Sequence, residues 1–294
     1  MIELGRLGLG TAPIGGLYQA VDDETARAVV DRAWELGMRY FDTAPRYGAG
    51  LAERRLGAAL GGRPRDEFVV STKVGRLLRP GRSEWGGAPE LVDYFDFSSD
   101  ATLRSLEESL GRLGLDRVDI AFVHDPDDYF DEALAGSFRA LAGLRDEGVV
   151  RAIGVGANQP AVLCRFAREA DPDCFLVAGR FTALDRTAEV ELLPLCEERG
   201  IAVIAGGVFN SGVIAGGTTF DYEAAPPEIV ARVERLRELC GRHDVPLPAA
   251  AMQFPLRHPA VATVLVGCRT PAEVAEDVRL AQLQLPDDLW AELA

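Results

Sequence analysis

The feature that most constrains the fold of this chain is a repeated alternation of short β-branched segments with longer amphipathic segments. Strands are predicted at residues 7–11, 39–43, 68–74, 118–124, 150–156, 174–181, 202–208 and 261–267. Helices with apolar residues at i, i+3, i+4 and i+7 are predicted at residues 22–36, 102–113, 133–144, 161–170, 190–199 and 271–283, with an extra helix at 227–242. A strand followed by a helix, repeated around the chain, predicts an α/β protein with a (β/α)8 TIM barrel; a doubly wound open sheet is the alternative.

Length and composition agree with a barrel. The chain has 294 residues, of which 48% are hydrophobic, enough for a large core, and α/β barrels typically have about 250 residues. No linker or shift in composition divides it, so we expect a single domain at residues 1–294. The 46 acidic residues outnumber the 31 basic ones, and a net charge of -15 disfavours binding to nucleic acid or to anionic membranes.

Targeting and cysteine patterns predict a cytoplasmic protein. The amino terminus, MIELGRLGLG, lacks the charged and apolar regions of a signal peptide, and no apolar segment approaches the ~18 residues of a membrane span. The five cysteines are scattered and include no C-x-x-C pair, which is typical of reduced proteins without a zinc site. We therefore expect no metal.

Lysine occurs once. Of the 31 lysine and arginine residues, Lys73 is the only lysine. A lysine that persists against such a bias suggests a requirement for a compact or deprotonatable amine, which a guanidinium cannot supply; a surface residue left by chance is the alternative.

Ionisable residues end three successive predicted strands. Asp42 and Tyr47 follow the second strand, Lys73 ends the third and His124 ends the fourth. Neighbouring strands lie ~4.8 Å apart, so these side chains are expected to meet at one end of the sheet. The alternation of side chains places Asp42, Lys73 and His124 on the same strand faces as a set of mostly apolar residues: Tyr40, Val69, Ser71, Ile120 and Phe122.

This set of residues suits proton transfer at a carbinol or carbonyl oxygen. An adjacent lysine ammonium is expected to lower the pKa of a tyrosine from ~10 towards a useful range, and an aspartate would hold the lysine in place. A histidine can orient the substrate oxygen. The accompanying hydride must come from, or go to, a nicotinamide or flavin. Schiff-base chemistry at Lys73 is the alternative.

The segments that carry these residues, YFDTAPRYGAGLAERRLGAAL, STKVG and FVHDP, resemble the motifs of the aldo-keto reductases. The resemblance covers nearly the whole chain and implies a TIM barrel without a Rossmann unit. It also implies a catalytic tetrad in which Tyr47 is the acid/base, Lys73 tunes its pKa, Asp42 holds Lys73, and His124 orients the substrate.

Other segments resemble one branch of that family. VDYFDFSSDATLRSLEESLGRLGLDRVDI, FLVAGRFTALD, GGVFNSGVI and DYEAAPPEIVARV are similar to the aldose 1-dehydrogenases, which act on L-fucose or D-threo-aldoses, and to pyridoxal 4-dehydrogenase. This resemblance implies carbohydrate metabolism, with NAD(P)+-dependent oxidation of a sugar hemiacetal at C1 to the lactone. Pyridoxal oxidation, reduction of small aldehydes, a Schiff-base aldolase and a nucleotide-binding subunit without turnover remain as alternatives.

The resemblance also implies where the dinucleotide would bind. No G-x-G-x-x-G motif follows a strand and opens a helix here. The pyrophosphate would lie along Gly206, Gly207, Val208, Phe209, Asn210, Ser211 and Gly212. The adenosine phosphate would meet Gly267, Cys268, Arg269 and Thr270 at the start of the last predicted helix, which also carries the cofactor-binding candidate Asp277.

Two positions depart from the family pattern. In place of the common Ser-Asn pair after strand five the chain has GVGAN, so Asn158 is assigned to the nicotinamide carboxamide; a turn residue before Pro160 is the alternative. Many NADP-preferring members have a cation where this chain has Glu273. A carboxylate there would oppose a 2′-phosphate, although Arg269 remains as a partner, so the sequence favours NAD+ over NADP+.

Two long connections and one acidic run follow strands, at the end where barrel enzymes bind substrates. They are residues 76–99, residues 210–225 and the carboxylates Asp125, Asp127 and Asp128. We expect the first connection and the acidic run to set specificity for a small sugar or aldehyde, with at least two of the three carboxylates on a solvated loop. The sequence does not decide between a monomer and a homo-oligomer.

Overall fold

The structure, a computed structural model, describes residues 2–293 and contains a closed barrel of eight parallel strands. In chain order the strands are β1 (Leu7–Gly10), β2 (Tyr40–Asp42), β3 (Val69–Val74), β4 (Arg76–Pro80), β5 (Leu91–Phe95), β6 (Ile120–His124), β7 (Ala152–Ala157), β8 (Cys174–Ala178), β9 (Ala202–Gly206), β10 (Thr219–Phe220), β11 (Glu223–Ala224) and β12 (Val261–Gly267). Around the barrel the order is β1, β2, β3, β6, β7, β8, β9 and β12, which pairs with β1 again. The barrel prediction is confirmed, and the open-sheet alternative is wrong.

Helices surround the barrel. They are α1 (Asp23–Glu35), α2 (Leu51–Leu60), α3 (Ser99–Leu113), α4 (Phe130–Ala133), α5 (Arg139–Asp146), α6 (Pro160–Glu169), α7 (Leu192–Arg199), α8 (Pro227–Arg242), α9 (Leu247–Gln253), α10 (Pro271–Ala281) and α11 (Asp287–Leu293). Helices α1, α3 and α10 begin with a side-chain cap. Before α1, for example, the Asp22 side chain accepts a hydrogen bond of 2.7 Å from the backbone nitrogen of Thr25.

The alternation of side chains in the strands produces two separate apolar cores. The larger core lies between the strands and the helices. The smaller core fills the barrel interior and includes Tyr40, Val69, Ile120 and Phe122, as predicted. Because the ionisable members of the same strand faces come later in each strand, they are brought to the carboxyl end of the barrel.

Several predicted boundaries are wrong for local reasons. The strand predicted at 174–181 ends at Ala178 and the one predicted at 202–208 ends at Gly206, in each case before a glycine with positive φ. The helix predicted at 133–144 is one continuous helical segment from Phe130 to Asp146, with a π-turn at Leu134–Phe138. Ser137 and Gly136 of that turn contact the carbonyl of Phe97, and a Cβ at Gly136 would lie 2.1 Å from that oxygen.

The long connections are folded segments. Strands β4 and β5 form an antiparallel hairpin within residues 76–99, and β10 and β11 form a smaller one within residues 210–225. Within residues 2–293, we find no helix with the length and apolarity needed to cross a bilayer.

Candidate active site

The structure brings the four predicted catalytic residues together at the carboxyl end of the barrel. Asp42 and His124 are the last residues of β2 and β6, Lys73 is the last but one of β3, and Tyr47 lies in the turn that follows β2. Tyr47, Lys73 and His124 line a cavity of about 600 Å³, and Asp42 is buried behind Lys73. The cluster therefore combines a buried charged pair with an aromatic hydroxyl and an imidazole at an open cavity.

Close backbone packing fixes the turn that carries Tyr47. A Cβ at Gly48 would lie 2.2 Å from the carbonyl oxygen of Gly15, and a Cβ at Gly15 would lie 2.9 Å from the Tyr47 carbonyl carbon. Gly48 also has a φ of +61°. Glycine at both positions lets the turn after β1 pack directly against the Tyr47 turn, which holds the tyrosine ring over the barrel.

Lys73 is held as an ammonium ion. Its Nζ atom donates hydrogen bonds to Oδ2 of Asp42 at 2.6 Å and to the carbonyl oxygen of Thr43 at 2.9 Å. Burial lowers the pKa of Lys73, but the Asp42 carboxylate and Tyr47 outweigh it and raise the pKa above its ordinary value. The prediction of a compact amine is consistent with this buried position, whereas a deprotonatable amine does not fit it.

Tyr47 contacts both Lys73 and His124. The Lys73 nitrogen lies 4.6 Å from the centroid of the Tyr47 ring, and the His124 ring is perpendicular to it at 6.0 Å. Burial raises the pKa of Tyr47 to about 12, opposed by Lys73 and supported by Asp42. The expected lowering by Lys73 is therefore present but smaller than the effect of burial, and the expectation of a net lowering of the Tyr47 pKa is wrong.

His124 is a neutral imidazole. Burial lowers its pKa well below the usual range, and the cationic groups of Lys73, Arg76 and Arg46 act in the same direction. Its Nδ1 atom has no hydrogen-bond partner among residues 2–293, and its Nε2 atom lies 3.5 Å from Oδ2 of Asp125. A neutral imidazole can donate one hydrogen bond to a substrate oxygen without carrying a competing charge.

An ion-pair network surrounds the mouth of the cavity. Arg76 donates to Asp125 at 2.7 Å and to Asp93 at 2.8 Å, and Arg46 donates to the same Asp93 at 2.5 Å and to Glu84 at 2.8 Å. Asp125 reaches this network from a backbone with a φ of +46°. We name these five side chains the mouth network.

The network corrects and extends the sequence analysis. Of the three predicted acidic residues only Asp125 lines the cavity, while Asp127 and Asp128 lie in a short 3₁₀ turn outside it. Trp85, at the tip of the β4–β5 hairpin, packs 6.0 Å from the Tyr47 ring. Neither Arg46 nor Trp85 was predicted individually. The aromatic and proline content of residues 76–99 indicated only that this connection contributes to the site.

Asn158 lies in the wall of the cavity. Its Nδ2 atom donates to the carbonyl oxygen of Ala178 at 3.1 Å, which fixes the orientation of the amide. Tyr18 and Tyr222 stand at the rim of the same cavity, and both have positive φ values, 66° and 68°. The sequence analysis missed both tyrosines because nothing in their local pattern separates them from ordinary loop aromatics.

The predicted pyrophosphate segment follows β9. Gly206 ends the strand, Gly207 is exposed, and Asn210, Ser211 and Gly212 form a turn in which all three residues have positive φ. The side chains of Val208 and Asn210 are buried, and Asn210 bonds to Thr182 and to the Gly179 carbonyl oxygen. Phe209 packs partly against the core. Backbone groups, rather than these three side chains, are therefore what the segment offers a ligand.

The predicted adenosine end lies at the start of α10. Gly267, Arg269 and Thr270 are exposed there, and the Thr270 side chain caps the helix by accepting from the Glu273 nitrogen at 3.2 Å. Cys268 is buried, and its thiol donates to Asp277 at 3.3 Å. Burial raises the pKa of Asp277 to about 6, and Glu273 and Glu276 add to the effect.

Glu273 is engaged with Arg269. Its Oε2 accepts a hydrogen bond of 2.7 Å from the Arg269 backbone nitrogen, and the Arg269 guanidinium lies 3.6 Å from the Glu273 carboxylate. The sequence alternative in which Arg269 pairs with a 2′-phosphate therefore requires it to leave this carboxylate. Within residues 2–293, no group of three or more histidine, cysteine, aspartate or glutamate side chains is arranged to bind a metal ion.

Comparisons with known proteins agree with the geometry. The family model described as "Aldo/keto reductase family" matches residues 6–294. The chain is 45% identical to D-threo-aldose 1-dehydrogenase of a Pseudomonas species, over 100% of this chain and 94% of that protein. It is 42% identical to pyridoxal 4-dehydrogenase of Microbacterium luteolum, over 99% of this chain and 94% of that protein.

Solved structures give the same result. The holo form of an aldo-keto reductase from Bacillus halodurans superposes with a TM-score of 0.82 at 28% identity, covering 98% of this chain and 92% of that one. A glycerol dehydrogenase from Gluconobacter oxydans gives 0.79 at 26% identity, with coverages of 99% and 90%. The barrel, the clustered residues and these matches together show that the chain belongs to the aldo/keto reductase family.

Proposed function

We propose that this protein is an NAD(P)+-dependent dehydrogenase that oxidises the C1 hemiacetal of an aldose to the lactone. The observation that carries the proposal is the buried Asp42–Lys73 pair beneath Tyr47 and His124 on a cavity with a polar mouth. The 45% identity to a D-threo-aldose 1-dehydrogenase supports the substrate class and the oxidative direction. L-fucose and related aldoses are therefore the first substrates to test.

The residues at the carboxyl end of the barrel fit a bound dinucleotide. Asn158 would hold the nicotinamide carboxamide, the backbone from Gly207 to Gly212 would lie along the pyrophosphate, and the start of α10 would bind the adenosine end. The buried Asp277 carboxylate would accept a hydrogen bond from the adenosine portion. When bound, the nicotinamide supplies the hydride acceptor.

Four side chains perform the proton chemistry. As the C1–H electron pair leaves as hydride, the ionised Tyr47 oxygen accepts the proton of the C1 hydroxyl, and the C1–O bond becomes the lactone carbonyl. The Lys73 ammonium stabilises the negative charge that the Tyr47 oxygen carries before it accepts the proton, and Asp42 keeps Lys73 in place. The neutral His124 donates a hydrogen bond to the reacting oxygen and aligns it with Tyr47.

The mouth network supports recognition of a polyhydroxylated substrate. Arginine and carboxylate side chains that already pair with each other can exchange those partners for vicinal hydroxyl groups. Trp85 offers an aromatic surface for the apolar face of a sugar ring. We propose that Asp125 and Arg76 bind ring hydroxyls, and that the exposed Asp128 remains solvated.

We also propose NAD+ as the preferred cofactor, because the Glu273 carboxylate lies in the first turn of α10 and would oppose a 2′-phosphate. A reducing, cytoplasmic location is supported by the five cysteines, all of which are buried free thiols.

One alternative keeps the same chemistry on another substrate. The 42% identity to a pyridoxal 4-dehydrogenase favours pyridoxal, whose hemiacetal also yields a lactone. The polar mouth network favours the sugar. Schiff-base catalysis is disfavoured because Lys73 is held as an ammonium ion and a Schiff base requires the free amine.

The experiment is a panel of L-fucose, D-arabinose, L-galactose, L-xylose, D-glucose and pyridoxal, each with NAD+ and NADP+ at alkaline pH, with reduced cofactor followed at its absorbance band. We expect turnover of a group of aldoses. Turnover of pyridoxal alone would replace the sugar and keep the tetrad. Turnover of none, with an adduct trapped by borohydride at Lys73, would overturn the proposal.

A further inference from the structure

A chain of two buried hydroxyl groups lies behind the tetrad, inside the barrel. The Tyr40 hydroxyl is 3.0 Å from Oγ of Ser71, and Ser71 Oγ donates to Oδ1 of Asp42 at 2.7 Å. Tyr40 and Ser71 are both completely buried. We call Tyr40 and Ser71 the hydroxyl chain; neither belongs to the tetrad, and neither lines the cavity.

The direction of the hydrogen bonds in this chain is fixed by chemistry. An ionised carboxylate only accepts, so the single proton of Ser71 must point to Asp42. Ser71 Oγ then has lone pairs but no proton for its second contact, so Tyr40 must be the donor. Burial raises the pKa of Tyr40 well above its ordinary value, which keeps that donor protonated.

Both oxygens of Asp42 are therefore engaged, one by Ser71 and the other by Lys73. A carboxylate fixed at both oxygens cannot rotate away from the ammonium ion. Donation from Ser71 also draws negative charge away from Oδ2, which leaves more of the positive charge of Lys73 to act on Tyr47. The hydroxyl chain thus acts on Oδ2 of Asp42, the atom that pairs with the Lys73 ammonium beside Tyr47.

We infer that Ser71 and Tyr40 are positioning residues of the catalytic site, acting through Asp42 and Lys73 on the proton transfer at Tyr47. The Tyr40 ring fits in the barrel because residue 8, on the adjacent strand, is a glycine: a Cβ at Gly8 would lie 2.7 Å from Cδ1 of Tyr40. The register agrees, because β2 and β3 pair Tyr40 with Val69 and Asp42 with Ser71.

The first test is Ser71→Ala, measured as kcat in both directions and as the Kd of the cofactor. We expect kcat to fall about tenfold in both directions, because both directions use the same proton transfer at Tyr47, while the Kd stays within about twofold. Ser71→Thr, which keeps the hydroxyl, should recover most of the activity. If Ser71→Ala cannot be purified, Ser71→Cys tests the same bond with a weaker donor of similar size and should show the same kind of loss.

The matched control is Thr72→Val. Thr72 is the next residue on β3 and is equally buried, but its hydroxyl donates outward to Glu53 at 2.9 Å. This variant should lose thermal stability and keep its kcat. A loss of kcat in Thr72→Val equal to that in Ser71→Ala would show a general packing effect and overturn the inference.

A double-mutant cycle tests the order of the chain. Tyr40→Phe should lower kcat roughly two- to threefold in the wild type and have no further effect in the Ser71→Ala background, because its partner is gone. Equal losses in both backgrounds would contradict a chain that runs through Ser71. The inference rests on the proposed role of Tyr47: if Tyr47→Phe is inactive and Ser71→Ala is unaffected, only the hydroxyl chain fails.

Discussion

The Lys73 ammonium nitrogen lies 2.6 Å from Oδ2 of Asp42, and both side chains are almost completely buried. A buried charge is costly unless it is paired, so each residue makes the other tolerable in the barrel interior. The pair places a fixed positive charge beside Tyr47, at the end of the barrel where the cavity opens.

Tyr47→Phe removes the proton acceptor and should lower kcat by about 10² to 10⁴-fold, the usual contribution of general acid–base catalysis. The Kd of the cofactor, measured by fluorescence titration, should change little. The matched control is Tyr129→Phe, because Tyr129 packs on Phe95 outside the cavity. Retention of more than a tenth of wild-type turnover would remove Tyr47 from its proposed role.

The pH dependence of oxidation follows from the pKa of Tyr47, which burial raises to about 12. Because proton removal from this hydroxyl becomes easier as the pH rises, kcat/KM for the aldose should increase from pH 6 to pH 10 without reaching a plateau. His124 should add no inflection near neutral pH, because burial lowers its pKa well below the usual range. If kcat/KM for the aldose levels off near pH 7, the assignment of Tyr47 as the titrating group is contradicted.

Asp277→Asn should stabilise the ligand-free protein at neutral and alkaline pH. Burial raises the pKa of Asp277 to about 6, so ionising this carboxyl above pH 6 costs folding free energy on the order of 3 kcal/mol. Removing the charge should raise Tm by roughly 5 °C at pH 8. The gain should shrink as the pH falls through 6 and vanish near pH 4, where the carboxyl is protonated in both folded and unfolded states. A gain that is independent of pH would contradict the explanation.

Glu273→Gln tests the cofactor preference. Glutamine can still accept the hydrogen bond from the Arg269 nitrogen, but it removes the negative charge and frees the Arg269 guanidinium. We expect kcat/KM for NADP+ to rise several-fold, and that for NAD+ to stay within about twofold. Glu276→Gln, one turn further along α10, removes an exposed charge that pairs with Arg279 and is the control. A tenfold preference of the wild type for NADP+ would show that Glu273 does not set the choice.

The barrel and the meeting of Asp42, Lys73 and His124 at one end of it were predictable because both depend on local periodicity. Alternating residues in three strands place Asp42, Lys73 and His124 on inward faces, and parallel strands bring their carboxyl ends together. Lys73 was also singled out by a second signal, because it is the only lysine among the 31 lysine and arginine residues. These signals depend on residues that are neighbours in the chain, so they can be recognised without knowledge of the tertiary structure.

The mouth network and the hydroxyl chain were not predictable in the same way. Arg76 reaches Asp125 across 49 residues of sequence, and the hairpin that positions Trp85 forms in a segment with no clear strand period. The pKa of Tyr47 depends on how deeply folding buries it, which the sequence does not express. Ser71 and Tyr40 were placed on the correct strand faces, but their hydrogen bonds depend on the register between β2 and β3.

The most direct test of the account uses an aldose that carries deuterium at C1. We predict that the deuterium appears in the reduced nicotinamide, detected by mass spectrometry, in equal amount to the lactone formed, with Tyr47→Phe abolishing both. Deuterium that stays in the sugar, or is lost to water, would show that C1 does not give up a hydride and would contradict the proposed reaction.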